Sequence, residues 1–140
     1  MVFVAVFAGS ICVITVGFML ALNRISSPGA DFSPYRSSIS VMESTMDKTK
    51  TSEDGTPRIV VVGLITNKSD IAWKNIEFDL RFFDRSGNLI DTESADEYYP
   101  ILSHRDSGFR AWLEPVHPLS DYDSYKIYIG SARDARSLRN

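Results

Sequence analysis

The stretch Trp73-Lys-Asn-Ile-Glu-Phe-Asp-Leu-Arg-Phe-Phe-Asp-Arg-Ser-Gly-Asn88 decides the fold. From Ile76 to Phe82 it alternates: Ile76, Phe78, Leu80 and Phe82 share one face, and Asn75, Glu77, Asp79 and Arg81 share the other. A period of two is a strand with one buried and one wet face. Asp84-Arg-Ser-Gly-Asn88 then supplies a tight reversal, with Asp84 hydrogen-bonding the backbone ahead of Gly87. The charges Glu77, Asp79, Asp84 and Arg85 lie close in sequence. Alternation nevertheless sends the first two to solvent and Asp84 into the turn, so they do not converge on a site.

Working outward, Arg58-Ile-Val-Val-Val-Gly-Leu-Ile-Thr-Asn67 is a second strand, apolar on both faces. That pattern predicts a central strand, or one with a core on one side and a covering segment on the other. Gly63 in its interior predicts a bulge or a close neighbour, and Asn67 opens the turn into the Trp73 strand. Leu89 to Glu93 returns from the Asp84–Asn88 turn to complete a hairpin, and Asp96 to His104 is a loop interrupted by Pro100. Residues 108–113 alternate Phe109, Ala111 and Leu113 against Arg110 and Trp112. After a break at Glu114-Pro-Val-His-Pro118, residues 125–129 place Tyr125, Ile127 and Ile129 on one face. Five or six short strands separated by turn residues, with no amphipathic helix between them, predict an all-β antiparallel sandwich, with a small barrel as runner-up.

The chain has 140 residues, 44% of them hydrophobic, and much of that apolar content lies in the first 22. Residues 1–22 carry no charged side chain, and about 20 apolar residues in a helix span a bilayer. The segment lacks the basic start and small-x-small site of a cleaved signal peptide. Ile11 before Cys12 is too bulky for a lipoprotein lipobox. An N-terminal transmembrane helix is therefore expected. Residues 23–57, with Ser26-Ser-Pro-Gly29 and Ser33-Pro34, read as a flexible linker. A short first strand near 38–46 or a helical turn from Met42 to Lys48 both fit its middle. The β-domain is then 58–130, and 131–140 is a frayed or briefly helical tail. Arg24 and Arg36 after the span argue for a cytoplasmic domain on charge alone.

A net charge of −3 with both signs interspersed leaves no basic stripe, which argues against nucleic acid as a partner. Cys12 is the only cysteine, so no intramolecular disulfide forms. The two histidines stand in loops; His104-x-Asp106 is too small a set for zinc, and no nucleophile elbow accompanies Ser103 or Ser107. No catalytic constellation or cofactor motif emerges, and a non-enzymatic protein is expected. Asp91, Glu93, Asp96 and Glu97 are the densest acidic group, a weak calcium candidate without EF-hand spacing. The better lead is aromatic. Trp112 and Tyr128 lie opposite the core faces of their strands, and Tyr98, Tyr99 and Tyr122 fall in or near loops, where they can anchor a partner.

The run Gly63-Leu-Ile-Thr-Asn67, then Leu80-Arg-Phe-Phe-Asp84 with Gly87-Asn88, then a strand ending near Phe109, resembles bacterial FxLYD-type domains. Leu80 to Asp84 falls on the naming motif; only the Asp is identical. The resemblance implies an immunoglobulin-like β-sandwich attached to a membrane or secreted protein, with no catalytic residues, and it favours an extracytoplasmic domain. Together with the anchor it implies a tethered interaction or assembly module of the cell envelope that binds another envelope protein. An extracytoplasmic ligand- or calcium-binding sensor is the alternative.

Overall fold

The computed structural model describes residues 29–50 and 55–137. The expected membrane helix over 1–22 lies outside them; among the described residues no helix is long and apolar enough to cross a membrane. Ala30–Arg136 forms one compact unit.

The alternating stretch becomes one continuous strand, Trp73–Phe83, with Ile76, Phe78, Leu80 and Phe82 all buried to within 1% of complete. Six strands follow the chain: β1 Ile39–Lys50, β2 Pro57–Asn67, β3 Trp73–Phe83, β4 Leu89–Glu97, β5 Arg105–Leu113 and β6 Ser124–Asp134. They pair antiparallel in two three-stranded sheets, β1-β2-β5 and β4-β3-β6. The sheets meet face to face, as the Phe78 and Phe109 rings show by stacking across the gap with centroids 4.8 Å apart. Such a pair adds about 0.5–1.5 kcal/mol beyond its area burial. The β3–β4 reversal is held by Asp84, whose carboxylate accepts from Asn88 N (2.8 Å) and Asn88 Nδ2 (2.9 Å). Gly87 supplies the positive φ of 82° there.

Several boundaries differ from the sequence reading. The segment 23–57 is not a linker over its described part. Phe32 is buried edge-on against Trp73 at 5.1 Å, Tyr35 packs on the same indole, a 3-10 turn covers Ser33–Ser38, and β1 runs twelve residues. The periodicity of β1 was masked by a bulge. Val41 pairs with Ile65 and Glu43 with Leu64, so Met42 is extra and the inward positions shift to Ser44 and Met46. Ser44 then bonds the Tyr125 hydroxyl on the facing sheet at 2.8 Å, a polar inward contact that a hydrophobic pattern does not reveal.

Gly63 lies opposite that bulge. A Cβ there would collide with the Glu43 carbonyl and come within 2.8 Å of the Phe109 ring, so close approach from both neighbours explains the glycine. β4 runs to Glu97 rather than Glu93, and Ile101 in the following connection is buried and bridges to Trp73.

The segment from 131 is not a frayed end. β6 continues to Asp134, a carboxylate only 2% exposed. It accepts from Ala30 N (3.0 Å), Arg136 N (2.9 Å) and the Arg136 guanidinium (2.7 Å), closing both ends of the unit together. The Arg136 guanidinium is the main reason its pKa is held far below the ordinary carboxylate range, overcoming burial, which pushes the other way. Nearby, Asn67 is fully buried. Its Nδ2 lies 2.7–3.1 Å from the carbonyls of Ile71, Ile101 and Leu102, tying the β2–β3 turn to the β4–β5 connection. Its Oδ1 accepts from Ser69 N and Oγ, and Ser69 Oγ accepts from Trp73 Nε1 (2.9 Å).

Candidate interaction face

The two outer faces of the sandwich differ in chemistry. On the β4-β3-β6 sheet the outward side chains satisfy one another. Arg81 bonds Asp79 at 2.7 Å and stacks over Tyr128 at 4.8 Å, Lys126 lies over Phe83, and Ser131 donates to Glu77. Their mutual bonding makes a wet, self-paired surface.

The β1-β2-β5 sheet is built otherwise. Outward residues of β2 are Arg58, Val60, Val62, Leu64 and Thr66, so its central column is apolar for three successive positions. Register sets them in rows: Asp47–Val60–Trp112, Thr45–Val62–Arg110 and Glu43–Leu64–Gly108. Val62 is 42% exposed, Leu64 39% and Trp112 52%, with the bulged Met42 also exposed. Gly108 has no side chain to cover Leu64. Of the two readings of its two-faced apolarity, β2 takes the first: it is the central strand of its sheet, and among the described residues Val62 and Leu64 stay open to solvent while Thr66, at the end of the same column, is buried. Trp112 is held by Arg58, whose guanidinium stacks 4.6 Å above the indole and reaches Glu114 at 3.5 Å. A half-exposed indole fixed by Arg58 thus stands beside an aliphatic strip.

The remaining sequence candidates do not come together. Trp112 and Tyr128 are on opposite sheets, and Tyr98 and Tyr99 are exposed at the end of the sandwich beyond β4. These four aromatics therefore do not make one patch. Tyr122 is not a surface aromatic: it is fully buried, packs edge-on against Phe82, accepts from His117 N (3.3 Å) and donates to Asp91 Oδ2 (2.7 Å). Burial, and then the Asp91 carboxylate that accepts its proton, raise its pKa and keep it a donor.

Along β4, Asp91, Glu93 and Glu97 stand on the half-buried side and Asp96 on the other, so strand pleating sets Asp96 apart from the other three. Asp91 is occupied by Tyr122, and Glu97 accepts from Tyr99 N. Among the described residues no three His, Cys, Asp or Glu side chains are grouped to hold a metal ion. His104, at φ 54°, pairs with Asp70 at 2.8 Å rather than with Asp106, which sits on β5 opposite Thr66. At the other end of the sandwich an open cleft of about 540 Å³ is bordered by Asp84, Arg85, His117, Ser120, Asp121 and Asp123. Its central carboxylate, Asp84, is spent on the turn: Asn88 holds its pKa below the usual value.

Sequence reasoning singled out Trp112 but not Val62 and Leu64. Their signal was present as three apolar residues in phase with Trp112. Only the tertiary structure reveals that Val62 and Leu64 are left 42% and 39% exposed.

No family model matches this chain, and no curated protein matches it. Among solved structures it is similar to Northeast Structural Genomics Consortium target SoR45, at 14% identity over 69% of this chain and 85% of that one, with a TM-score of 0.41. It is also similar to Campylobacter jejuni cj0090, at 13% identity over 65% and 84%, TM-score 0.38. A third is the Salmonella enterica trimeric lipoprotein SadB, at 13% identity over 91% and 72%, TM-score 0.44.

Proposed function

We propose that this protein is a membrane-tethered, non-enzymatic, immunoglobulin-like β-sandwich of the FxLYD type that acts as an interaction module of the cell envelope. It binds through the outer face of the β1-β2-β5 sheet. The observation that carries the reading is the exposed strip Val62, Leu64 and Trp112, continued by the half-buried Val60, on a sheet whose counterpart is self-paired and polar.

The immunoglobulin-like assignment is supported by strand order. Lettered along the chain, β1-β2-β5 and β4-β3-β6 correspond to A-B-E and C′-C-F. Tyr122 supports it too: a buried tyrosine just before the F-equivalent β6, whose hydroxyl bonds the backbone five residues upstream, is a tyrosine corner. The tether rests on the apolar run 1–22. Extracytoplasmic placement rests on the FxLYD resemblance.

The test is in-cell photocrosslinking on the full chain, with the photoreactive residue at Trp112 or, as control, at Tyr128. Discrete adducts at the first position and none at the second are expected; equal patterns, or none at either, overturn the reading. Ser86→Cys in a Cys12→Ser background, probed with a membrane-impermeant maleimide in intact cells, decides the side of the membrane. Labelling only after lysis removes the extracytoplasmic placement.

A further inference from the structure

The end of the sandwich where Ala30 enters also displays the most exposed aromatics among the described residues. Ala30 N donates to Asp134 at the close of β6, Phe32 and Tyr35 pack on Trp73 at the start of β3, and Ile101 bridges to the same Trp73. The connection from β4 to β5 crosses this end, and on it Tyr98 is 71% exposed, Tyr99 77% and Leu102 58%. Its backbone is firmly held. Trp73 and Ile101 exchange two backbone hydrogen bonds of 2.7 and 3.1 Å. The buried Asn67 amide lies 3.1 Å from the Ile101 and Leu102 carbonyls, Glu97 accepts from Tyr99 N, and Ser103 Oγ donates to Ser69 O. Two phenols and a leucine are thus kept out of the core by a fixed loop.

We infer that this end of the domain rests on the lipid bilayer, with Tyr98, Tyr99 and Leu102 seated among the headgroups. Chain length selects the bilayer as the occupant. Seven residues, 23–29, separate the apolar run 1–22 from Ala30, and seven residues span at most about 25 Å whatever their conformation. β3 is eleven residues long, which as a strand is about 35 Å. A sandwich inverted to set its Asp84–Asn88 end on the membrane therefore does not fit within the tether. The Ala30 end, with its three exposed side chains, is the one brought to the lipid.

Side-chain chemistry agrees. A tyrosine ring enters the boundary of the hydrocarbon while its hydroxyl stays with headgroups and water, which is why tyrosine is enriched at that depth. Charge at this end is balanced: over residues 29–38, 67–74, 96–106 and 133–137, six Lys and Arg side chains stand with six Asp and Glu. The contact is therefore apolar and interfacial, without the basic cluster that anionic headgroups require. Seated in this way, the strands rise from the membrane and leave the outer face of the β1-β2-β5 sheet open to a neighbour. The inference rests on the tether in the reading above and is independent of that face.

The test uses the full chain with Cys12→Ser, one copy per phosphatidylcholine nanodisc, so that lipid is the sole partner present. A bimane label is placed on a single new cysteine, Tyr98→Cys or, as control, Val116→Cys, a comparably exposed position toward the opposite end. Quenching by a nitroxide carried on the lipid headgroup should be about threefold stronger at 98 than at 116. Tethering alone produces some difference, so a second step decides. Adding Tyr99→Ser with Leu102→Ser should roughly halve the lipid quenching at 98 and raise quenching there by aqueous iodide. Both side chains are exposed, so unchanged thermal melts show that the fold is intact. Added salt should leave the lipid quenching unchanged, because charge does not drive the contact. Quenching at 98 no stronger than at 116, or unaffected by the double substitution, overturns the lipid contact. In that case a chain that still co-purifies with the discs leaves the tether standing, and crosslinking at Trp112 tests the interaction face separately. A chain that does not enter the discs removes the tether and this inference together.

Discussion

Gly63→Ala tests the packing of the whole sandwich with a single methyl group. Gly63 has no positive φ, so alanine suffers no backbone penalty there and should gain about 0.5–1 kcal/mol from reduced unfolded-state entropy. Sterics act in the opposite direction. The new Cβ would overlap the Glu43 carbonyl and approach Phe109 Cε1 and Cζ to 2.8 and 2.9 Å. Neither neighbour yields cheaply: the first is backbone at the β1 bulge, and the second is stacked on Phe78.

Overpacking of this kind costs about 1–3 kcal/mol, and the involvement of backbone places it near the upper end. The net expectation is about 2 kcal/mol of destabilisation, or a drop in melting temperature of about 8–16 °C for a domain of this size. Urea unfolding of the full chain in detergent, with the midpoint falling at constant slope, is the measurement. A companion Phe109→Leu variant should make Gly63→Ala less costly than it is alone, since it removes one of the two obstructions. A neutral or stabilising Gly63→Ala would mean that β1 and β2 are not paired in this register.

Phe78→Ala should cost about 3–5 kcal/mol, because it empties a fully buried site and ends the stack on Phe109; a loss under about 1 kcal/mol in the same denaturation assay would invert the assigned faces of β3. Tyr122→Phe keeps the ring against Phe82 but strips the hydroxyl from Asp91 and His117 N, with an expected cost of about 1–2 kcal/mol; no change in midpoint would deny the corner a structural role. Asp134 has a folded pKa below its unfolded value, so its contribution is complete above pH about 4 and drains as pH falls further. Asp134→Asn should accordingly be less stable at pH 7 and lose less stability between pH 6 and 3 than the parent; parallel pH profiles of the two would refute the assignment.

The alternation of Ile76, Phe78, Leu80 and Phe82, and of Tyr125, Ile127 and Ile129, was enough to identify strands and their inward faces, because a side chain's face in a strand depends only on its parity. The Asp84–Gly87 reversal was equally local: a carboxylate reaching its own backbone and a residue at positive φ need no distant partner. An all-β antiparallel chain followed from such elements.

What parity cannot carry was decided in three dimensions. The β1 bulge shifts the pattern by one residue, which hid a twelve-residue edge strand inside an apparent linker. Tyr122 reads as a loop aromatic until the chain brings Asp91 and Phe82 around it, and Asp134 reads as tail until Ala30 returns to meet it. The candidate face is the same kind of fact. Val60, Val62 and Leu64 are apolar whether a segment covers them or not; that Val62 and Leu64 stay exposed, and that they stand in rows between β1 and β5 beside Trp112, follows from burial, sheet order and register. Burial and charge pairing are properties of neighbours distant in the chain, and only the tertiary structure chooses those neighbours.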